Sequence, residues 1–383
     1  MSVTAPAGFR AAGIAAGLKS FGAADVALVV NDGPQDAAAA VFTTNRFPAA
    51  PVLWSRQVLA DGRLRAVVLN SGGANACTGT DGFGDTHATA EHTAAALGLG
   101  AIDVAVASTG LIGVRLPMAR LLPGVTAAAE ALSTEGGPDA ARAIMTTDSV
   151  PKTTVVEREG WSVGGMAKGA GMLAPSLATM LVVLTTDAVV EPAVLQVALA
   201  AATGVSLERV DSDGCLSTND TVIAMANGAG GVTPSAGEVA EALTAAATDL
   251  AMQLLADAEG STKDIAITVR NAATVEDALT AARACARNNL LKTALFGNDP
   301  NWGRVLAAIG TTDAAFEPDR VDVAINGVTV CRGGAIGDPR EGVDLAGRAV
   351  TIDVDLRAGA EEATIWTNDL SIAYVHENSA YST

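Results

Sequence analysis

The sequence predicts a layered α/β protein that ends in a compact α+β unit, and three observations lead there. Short β-rich runs alternate with helical stretches as far as about residue 263, the pattern of sheets covered by helices. Apolar residues make up 49% of the chain but aromatics only 3%, with 40 glycines, so the core must be built from Ala, Val, Leu and Ile. The texture changes near residue 264, and 383 residues are too many for one ordinary core. The expected domains are a main α/β unit, 1–263, and a C-terminal α+β unit, 264–383.

In the first half the strand candidates are DVALVV (25–30), AAVFTT (39–44), RAVVLNSGGANA (65–76) and DVAVASTGLIG (103–113), separated by Gly/Asn-rich turns. Helical stretches intervene at THATAEHTAAALGL (86–99) and LLPGVTAAAEALS (121–133). After the strand-like MLVVLTTDA comes EPAVLQVALAAATG (191–204), with Pro in its first turn and Gly at its end. GEVAEALTAAATDLAMQLLADAEG (237–260) repeats apolar residues at 239, 243, 250 and 254, which predicts one buried face. The tail reads DIAITVR, then helical TVEDALTAARACARNN, then VDVAINGVTVCRGG with an Asn326-Gly327 hairpin signal, then AVTIDVDL and EATIWTND.

The formal charge of −18, from 24 basic and 42 acidic residues, disfavours nucleic acid and anionic membrane as partners. The opening MSVTAPAGFRAAGIAAGLKS has neither a basic n-region nor an unbroken apolar h-region, and no apolar run approaches the roughly 20 residues a bilayer needs. A soluble, cytoplasmic protein is expected. Cys77, Cys215, Cys285 and Cys331 form no C-x-x-C pair, and His87 and His92 are five apart, off the i, i+4 geometry of a helical metal pair. Neither a disulfide framework nor a metal site is expected.

Two motif matches fail on context. GAGMLA (169–174) satisfies G-x-G-x-x-[GA] after the strand-like WSVGGMA, but Pro175 and the β-rich MLVVL follow where a dinucleotide site needs a helix. Lys168 sits among glycines without the order of a phosphate loop, and no G-x-S-x-G elbow exists. No nucleotide cofactor is implied. There remains Thr179, at the mouth of the most apolar run and preceded by the small Ala178. A β-branched residue starts strands well. A threonine freed at its α-amine carries its own base, so cleavage of Ala178-Thr179 would activate it as a nucleophile. The local residues allow both readings.

The stretch AKGAGMLAPSLATML (167–181) resembles the signature of the ornithine acetyltransferase family, bifunctional glutamate N-acetyltransferases of arginine biosynthesis. The likeness runs along essentially the whole chain, through NSGGANACTG, ASTGLIG, IMTTDSVPK, DSDGCLSTNDT, DAEGSTK, KTALFGNDPNWGR and HENSAYST. The resemblance implies a DmpA/ArgJ-like autoprocessing fold of the N-terminal-nucleophile type, cut between Ala178 and Thr179 into an α chain (1–178) and a β chain (179–383). It implies Thr179 as nucleophile and, through its freed amine, base, with Thr109 and Gly110 as the oxyanion hole. Lys168 and Glu259 then match the family's substrate cation and carboxylate, and Thr146 or Thr147, Asn378 and Thr383 complete the set. One departure is Ser176, where the family often has Asn after the signature proline.

The activity implied is ping-pong transfer of acetyl from N2-acetylornithine to L-glutamate without cofactor, by an α2β2 assembly of the chain's own fragments. No residue decides whether acetyl-CoA also serves as donor. An autoprocessing aminopeptidase or amidase using water as acceptor is the alternative enzyme, and an amino-acid-binding protein without catalysis is the other class. Asn301, Trp302 and Arg304 read as structural.

Overall fold

The computed structural model describes residues 2–173 and 180–380. Ala178, Thr179 and Thr383 lie outside the described residues. In the first part the strands are β1 (Phe9–Ile14), β2 (Val26–Asn31), β3 (Ala37–Phe42), β4 (Ala66–Asn70), β5 (Val104–Ser108), β6 (Lys152–Arg158), β7 (Trp161–Lys168), β8 (Leu181–Thr186) and β9 (Thr221–Ala226). The helices among them are α1 (Ala50–Val58), α2 (Gly79–Leu97), α3 (Met118–Glu130), α4 (Gly137–Ala143), α5 (Pro192–Val205) and α6 (Ala236–Ala256).

These strands form two sheets among the described residues, ordered β1-β2-β4-β5 and β3-β9-β8-β7-β6. The second sheet explains the MLVVL run. Leu181 and Val183 face one core, with the first sheet and helices α1 to α4, while Val182 and Leu184 face another, lined by α5 and α6. A strand buried on both faces has no polar side to show, so its sequence reads as continuous apolar residues.

Helix α6 starts with a capping box, in which Ser235 Oγ accepts from Glu238 N and the Glu238 carboxylate accepts from Ser235 N. Val239, Leu243, Leu250 and Leu254, the expected stripe, are all buried. Its 21 residues are long and apolar enough to cross a membrane by length and composition alone. That stripe packs into the second core, however, beside α5, β6 and β7.

From Asp264 the chain builds a third sheet. Its strands are β10 (Asp264–Ala272), β11 (Asp322–Ile325), β12 (Val328–Arg332), β13 (Ala335–Ile336), β14 (Ala349–Asp355) and β15 (Glu361–Asn368), ordered β13-β12-β11-β14-β10-β15. Helices α7 (Val275–Ala286), α8 (Asn289–Phe296) and α9 (Trp302–Ile309) supply apolar residues to its core. The hairpin turn is where the sequence puts it: Asn326 and Gly327 have φ of 45° and 82°, the two positive values that a tight twisted hairpin requires. Helix α10 (Ile372–Ala380) returns to the first part of the molecule, where Asn378 Nδ2 donates to Glu259 Oε2.

One end of the second sheet matters for function. Lys168, Leu181 and Thr221 are register partners across β7, β8 and β9. The last residue of β7 therefore lies beside the first residues of β8 and β9, bringing 168, 180 and 220 to one place.

Candidate active site

A cavity of about 290 Å³ opens at that end of the sheet. Thr109, Gly110, Thr146, Thr147, Lys168, Glu259 and Asn378 all line it. They come from positions scattered over most of the chain, and the fold brings them together.

The first group is built by the end of β5. Thr109 N donates to Asn70 O at 3.0 Å, which continues the β4/β5 ladder one residue past the strand. Its hydroxyl remains at the cavity and accepts from Lys168 Nζ at 3.2 Å. An oxygen that accepts a lysine proton keeps its own O–H to donate. At Gly110 the chain has φ of 129°, and an added Cβ would stand 2.9 Å from the Gly73 backbone, so only glycine fits. The Gly110 N–H makes no hydrogen bond among the described residues. A hydroxyl and an amide N–H thus face one cavity wall.

The second group is a line of buried charges. Lys168 is only 1% exposed, and burial pushes its ammonium below the ordinary lysine value, partly offset by Asp148 and, farther off, Asp220 and Glu259. Asp148 Oδ1 accepts from Lys152 Nζ and Gly169 N, each at 2.7 Å, and its Oδ2 accepts from Thr146 N at 3.0 Å. Burial raises the Asp148 carboxyl, but Lys168, Lys152 and the Gly169 N–H outweigh it and hold the group below the usual carboxylate value. Lys152 Nζ goes on to Asp257 at 2.6 Å. Asp148 therefore shapes the Thr146–Thr147 turn and faces the cavity lysine at once.

Also lining the cavity is Glu259, whose N donates to Ala170 O and whose Oε2 accepts from Asn378 Nδ2, both at 2.9 Å. A Cβ at residue 171 would lie 2.6 Å from the Glu259 carboxylate, so Gly171 lets that carboxylate approach the backbone. A cation and a carboxylate lining one cavity suit a zwitterionic ligand.

The loop 211–220 frames the remaining side. Asn219 Nδ2 donates to Ala74 O and Ser108 O, at 2.6 and 2.8 Å, fixing the chain just ahead of Thr109. Leu173 O accepts from Ser212 N, and Met172 N donates to Asp213 Oδ2 at 2.7 Å. The third sheet's layer braces this loop: Lys292 Nζ donates to Ser212 O at 2.6 Å and to Thr367 Oγ1 at 2.9 Å. Burial drops the Lys292 ammonium to about 8, against the partial opposition of Asp211, Asp213 and Asp369.

Sequence reasoning missed Asp148, Asn219 and Asp220. Both stretches that contain them, IMTTDSVPK and DSDGCLSTNDT, were visible as motifs. What was missing is that one-sided burial turns an ordinary Asp or Asn into a hub, and single-letter spacing does not carry burial. His87 stacks edge-on against Trp54, and the His92 ring meets Thr126 Oγ1 at 2.8 Å. Trp302 packs against the third core, and Arg304 donates to Leu290 O.

A family model described as the ArgJ family matches residues 10–383. The arginine biosynthesis bifunctional protein ArgJ of Streptomyces coelicolor is 65% identical over 382 residues, covering all of both chains. The protein of the same name from Thermobifida fusca is 63% identical over 383 residues, again with full coverage of both. Among solved structures, an ornithine acetyltransferase from Mycobacterium tuberculosis complexed with ornithine is 62% identical. It covers 47% of this chain and 96% of its own, with a TM-score of 0.45.

Proposed function

Since the chain belongs to the ArgJ family, an acetyltransferase family of arginine biosynthesis, we propose that it moves the acetyl group of N2-acetylornithine to L-glutamate through an acetyl ester on Thr179. The observation that carries this is the single cavity holding the Thr109 hydroxyl, the Gly110 N–H, Lys168 and Glu259, at the end of the sheet where β8 begins one residue after Met180. At about 290 Å³ it sits at the lower edge of ligand pockets and has room for one acylated amino acid at a time. That size suits sequential occupancy by donor and acceptor, as a ping-pong order requires.

Activation begins in the chain itself. The Thr179 hydroxyl attacks the Ala178 carbonyl, its proton passes to the departing nitrogen, and the acyl group shifts from N to O. Water then splits the ester, leaving the carboxylate of 1–178 and the free α-amine of 179–383. In turnover that amine takes the Thr179 hydroxyl proton as the oxygen attacks the acetyl carbonyl. Negative charge develops on the carbonyl oxygen, where the Thr109 O–H and Gly110 N–H are preorganised to receive it. Ornithine leaves with the proton, and glutamate's α-amine repeats the steps in reverse. Lys168 pairs with the α-carboxylate that both substrates carry, and Glu259 with the δ-ammonium of the donor. Thr146 and Thr147, together with Asn378 and the terminal Thr383, complete the substrate contacts. The exchange replaces one amide with another, so no external energy source is required.

The same reading divides the chain into a main α/β catalytic domain, 1–263, and a C-terminal α+β domain, 264–383, that adds Asn378 and Thr383 to the substrate contacts, in an α2β2 assembly of the two fragments with a cytoplasmic location. The test is the intact mass under denaturing conditions, before and after incubation with N2-acetylornithine. Two fragments split at Ala178-Thr179, the second gaining one acetyl group that glutamate removes, are expected. Loss of that acetyl to water at the same rate without glutamate would favour the amidase instead. A single unmodified chain would overturn the reading.

Removing one oxyanion donor gives a graded prediction. Thr109→Ala should lower kcat about 10²-fold with KM for acetylornithine changed less than threefold, because the lost contact strengthens only in the transition state. A pure KM effect in steady-state kinetics would move Thr109 from the oxyanion hole to ground-state binding.

A further inference from the structure

Thr109 and Gly110 serve as paired donors only if the backbone that carries them stands still, and β5 ends one residue before them, at Ser108. Hydrogen bonds hold this turn against the segment that follows β4, and two of them come from one side chain. Asn219 Nδ2 donates to Ser108 O at 2.8 Å and to Ala74 O at 2.6 Å. Ala74 N donates in turn to Leu111 O at 3.0 Å. The bonds close a ring that runs from Asn219 through Ser108, Thr109, Gly110 and Leu111 to Ala74 and back. The two oxyanion donors are the residues it encloses.

The orientation of the Asn219 amide is settled by its surroundings. Its Oδ1 accepts from Thr218 Oγ1 at 2.6 Å. Its backbone N donates to Ser217 Oγ at 3.1 Å, and its backbone O accepts from Thr221 Oγ1 at 2.9 Å. Turned over, the amide would set its oxygen against two carbonyl oxygens, so the network directs Nδ2 at the turn. Asn219, Ser108 and Ala74 are all buried, and a buried carbonyl that loses its donor is costly. Asn219 also lines the cavity. Both hydrogens of its amide nitrogen are taken, however, so they act on the turn and not on a ligand.

We propose that Asn219 is the positioning residue of the oxyanion site, its Nδ2 holding the turn from Ser108 to Leu111 so that the Thr109 O–H and the Gly110 N–H meet the developing charge together. The assignment rests on the oxyanion role of Thr109 and Gly110. Donors stabilise a transition state most when they need no rearrangement at the moment of reaction. Asn219 supplies that condition, and its loss is felt in the chemical step rather than in binding.

Asn219→Ala, made in the full chain and measured per cut chain, is expected to lower kcat about tenfold with KM for acetylornithine changed less than twofold. Thr109→Ala is measured first. If that variant loses only in KM, the oxyanion reading fails and this assignment with it. If Thr109→Ala loses kcat and Asn219→Ala does not, the positioning role alone is overturned. The double variant separates positioning from a general structural effect. Its loss should stay within about threefold of that of Thr109→Ala, because residues that act as one unit are not additive. Losses that multiply overturn the proposal. If Asn219→Ala does not fold or is not cut, Thr218→Val carries the test, since it keeps a β-branched side chain and removes the hydroxyl that orients the amide. A fall in kcat of about threefold at constant KM supports the assignment, and an unchanged kcat overturns it.

Discussion

Thr179→Ala is expected to leave one uncut chain of 38.2 kDa with no measurable acetyl transfer. The side chain is asked to do two things, attack its own preceding carbonyl and later carry the acetyl group, and alanine can do neither. Loss of fold is a poor competing explanation. β8 gains its stability from Leu181, Val182, Val183 and Leu184, each at most 1% exposed and packed into two cores, and those residues are unchanged. The substitution removes a hydroxyl and a methyl group, worth about 1 kcal/mol, far below the loss that unfolds a domain. Thr179→Ser keeps a hydroxyl and is expected to cut, at a lower rate. Denaturing electrophoresis and a glutamate-dependent assay on the same preparations check both variants. A cleaved, active alanine variant would remove Thr179 from the mechanism.

How far the sequence could be read depended on whether a residue's role was local. The Asn326-Gly327 turn, the Ser235 cap of α6 and the stripe at 239, 243, 250 and 254 are local features, and each lies where periodicity and turn chemistry place it. Helix α2 starts at Gly79, seven residues before the expected 86, because Gly79, Gly82 and Gly84 look like helix breakers. A close local contact accounts for one of them: a Cβ at 82 would strike Thr78 and Asn75, and Asn75 Nδ2 donates to Gly82 O. The strand β6 and the short helices α8 and α9 went unnoticed for related reasons. β6 is an edge strand, ending exposed at Glu157 and Arg158, and FGNDPNWGR breaks the 289–309 stretch with turn residues. In the site, Thr109-Gly110, Lys168, Glu259 and Asn378 were named through family resemblance, which carries three-dimensional information that spacing lacks. Their supports, Asp148, Asn219 and Asp220, act by being buried next to them, and only the fold reveals that.

Lys168→Met is expected to abolish useful substrate capture while leaving the protein folded, and the charges around it decide this. A buried lysine lost from a simple pair would strand its carboxylate at a cost of about 3–5 kcal/mol. Asp148 is not stranded, because Lys152 Nζ stays 2.7 Å away and the Gly169 and Thr146 amides still donate to it. Asp220 is not stranded either, since burial already favours its protonated form. The unfolding temperature should therefore fall by only a few degrees. For the substrates, Lys168 is the only basic side chain among the described residues that line the cavity. A charge-assisted contact to a buried ammonium is worth about 2–5 kcal/mol, so kcat/KM should drop at least about 30-fold for acetylornithine and for glutamate alike. Arginine is not expected to rescue it, because the position is 1% exposed and the planar guanidinium is larger than the ammonium it replaces. The remaining effect is on acid stability. Asp148 has a depressed carboxyl in the folded protein, so it contributes stability that is present above the unfolded carboxylate value and lost as pH falls through its own lower one. Without Lys168 that depression shrinks, and acid unfolding should begin at a higher pH than in wild type. Thermal melts between pH 3 and 7, run beside the kinetics, separate the two consequences: equal loss of kcat/KM and of neutral-pH stability would mean that Lys168 holds the fold rather than the substrate.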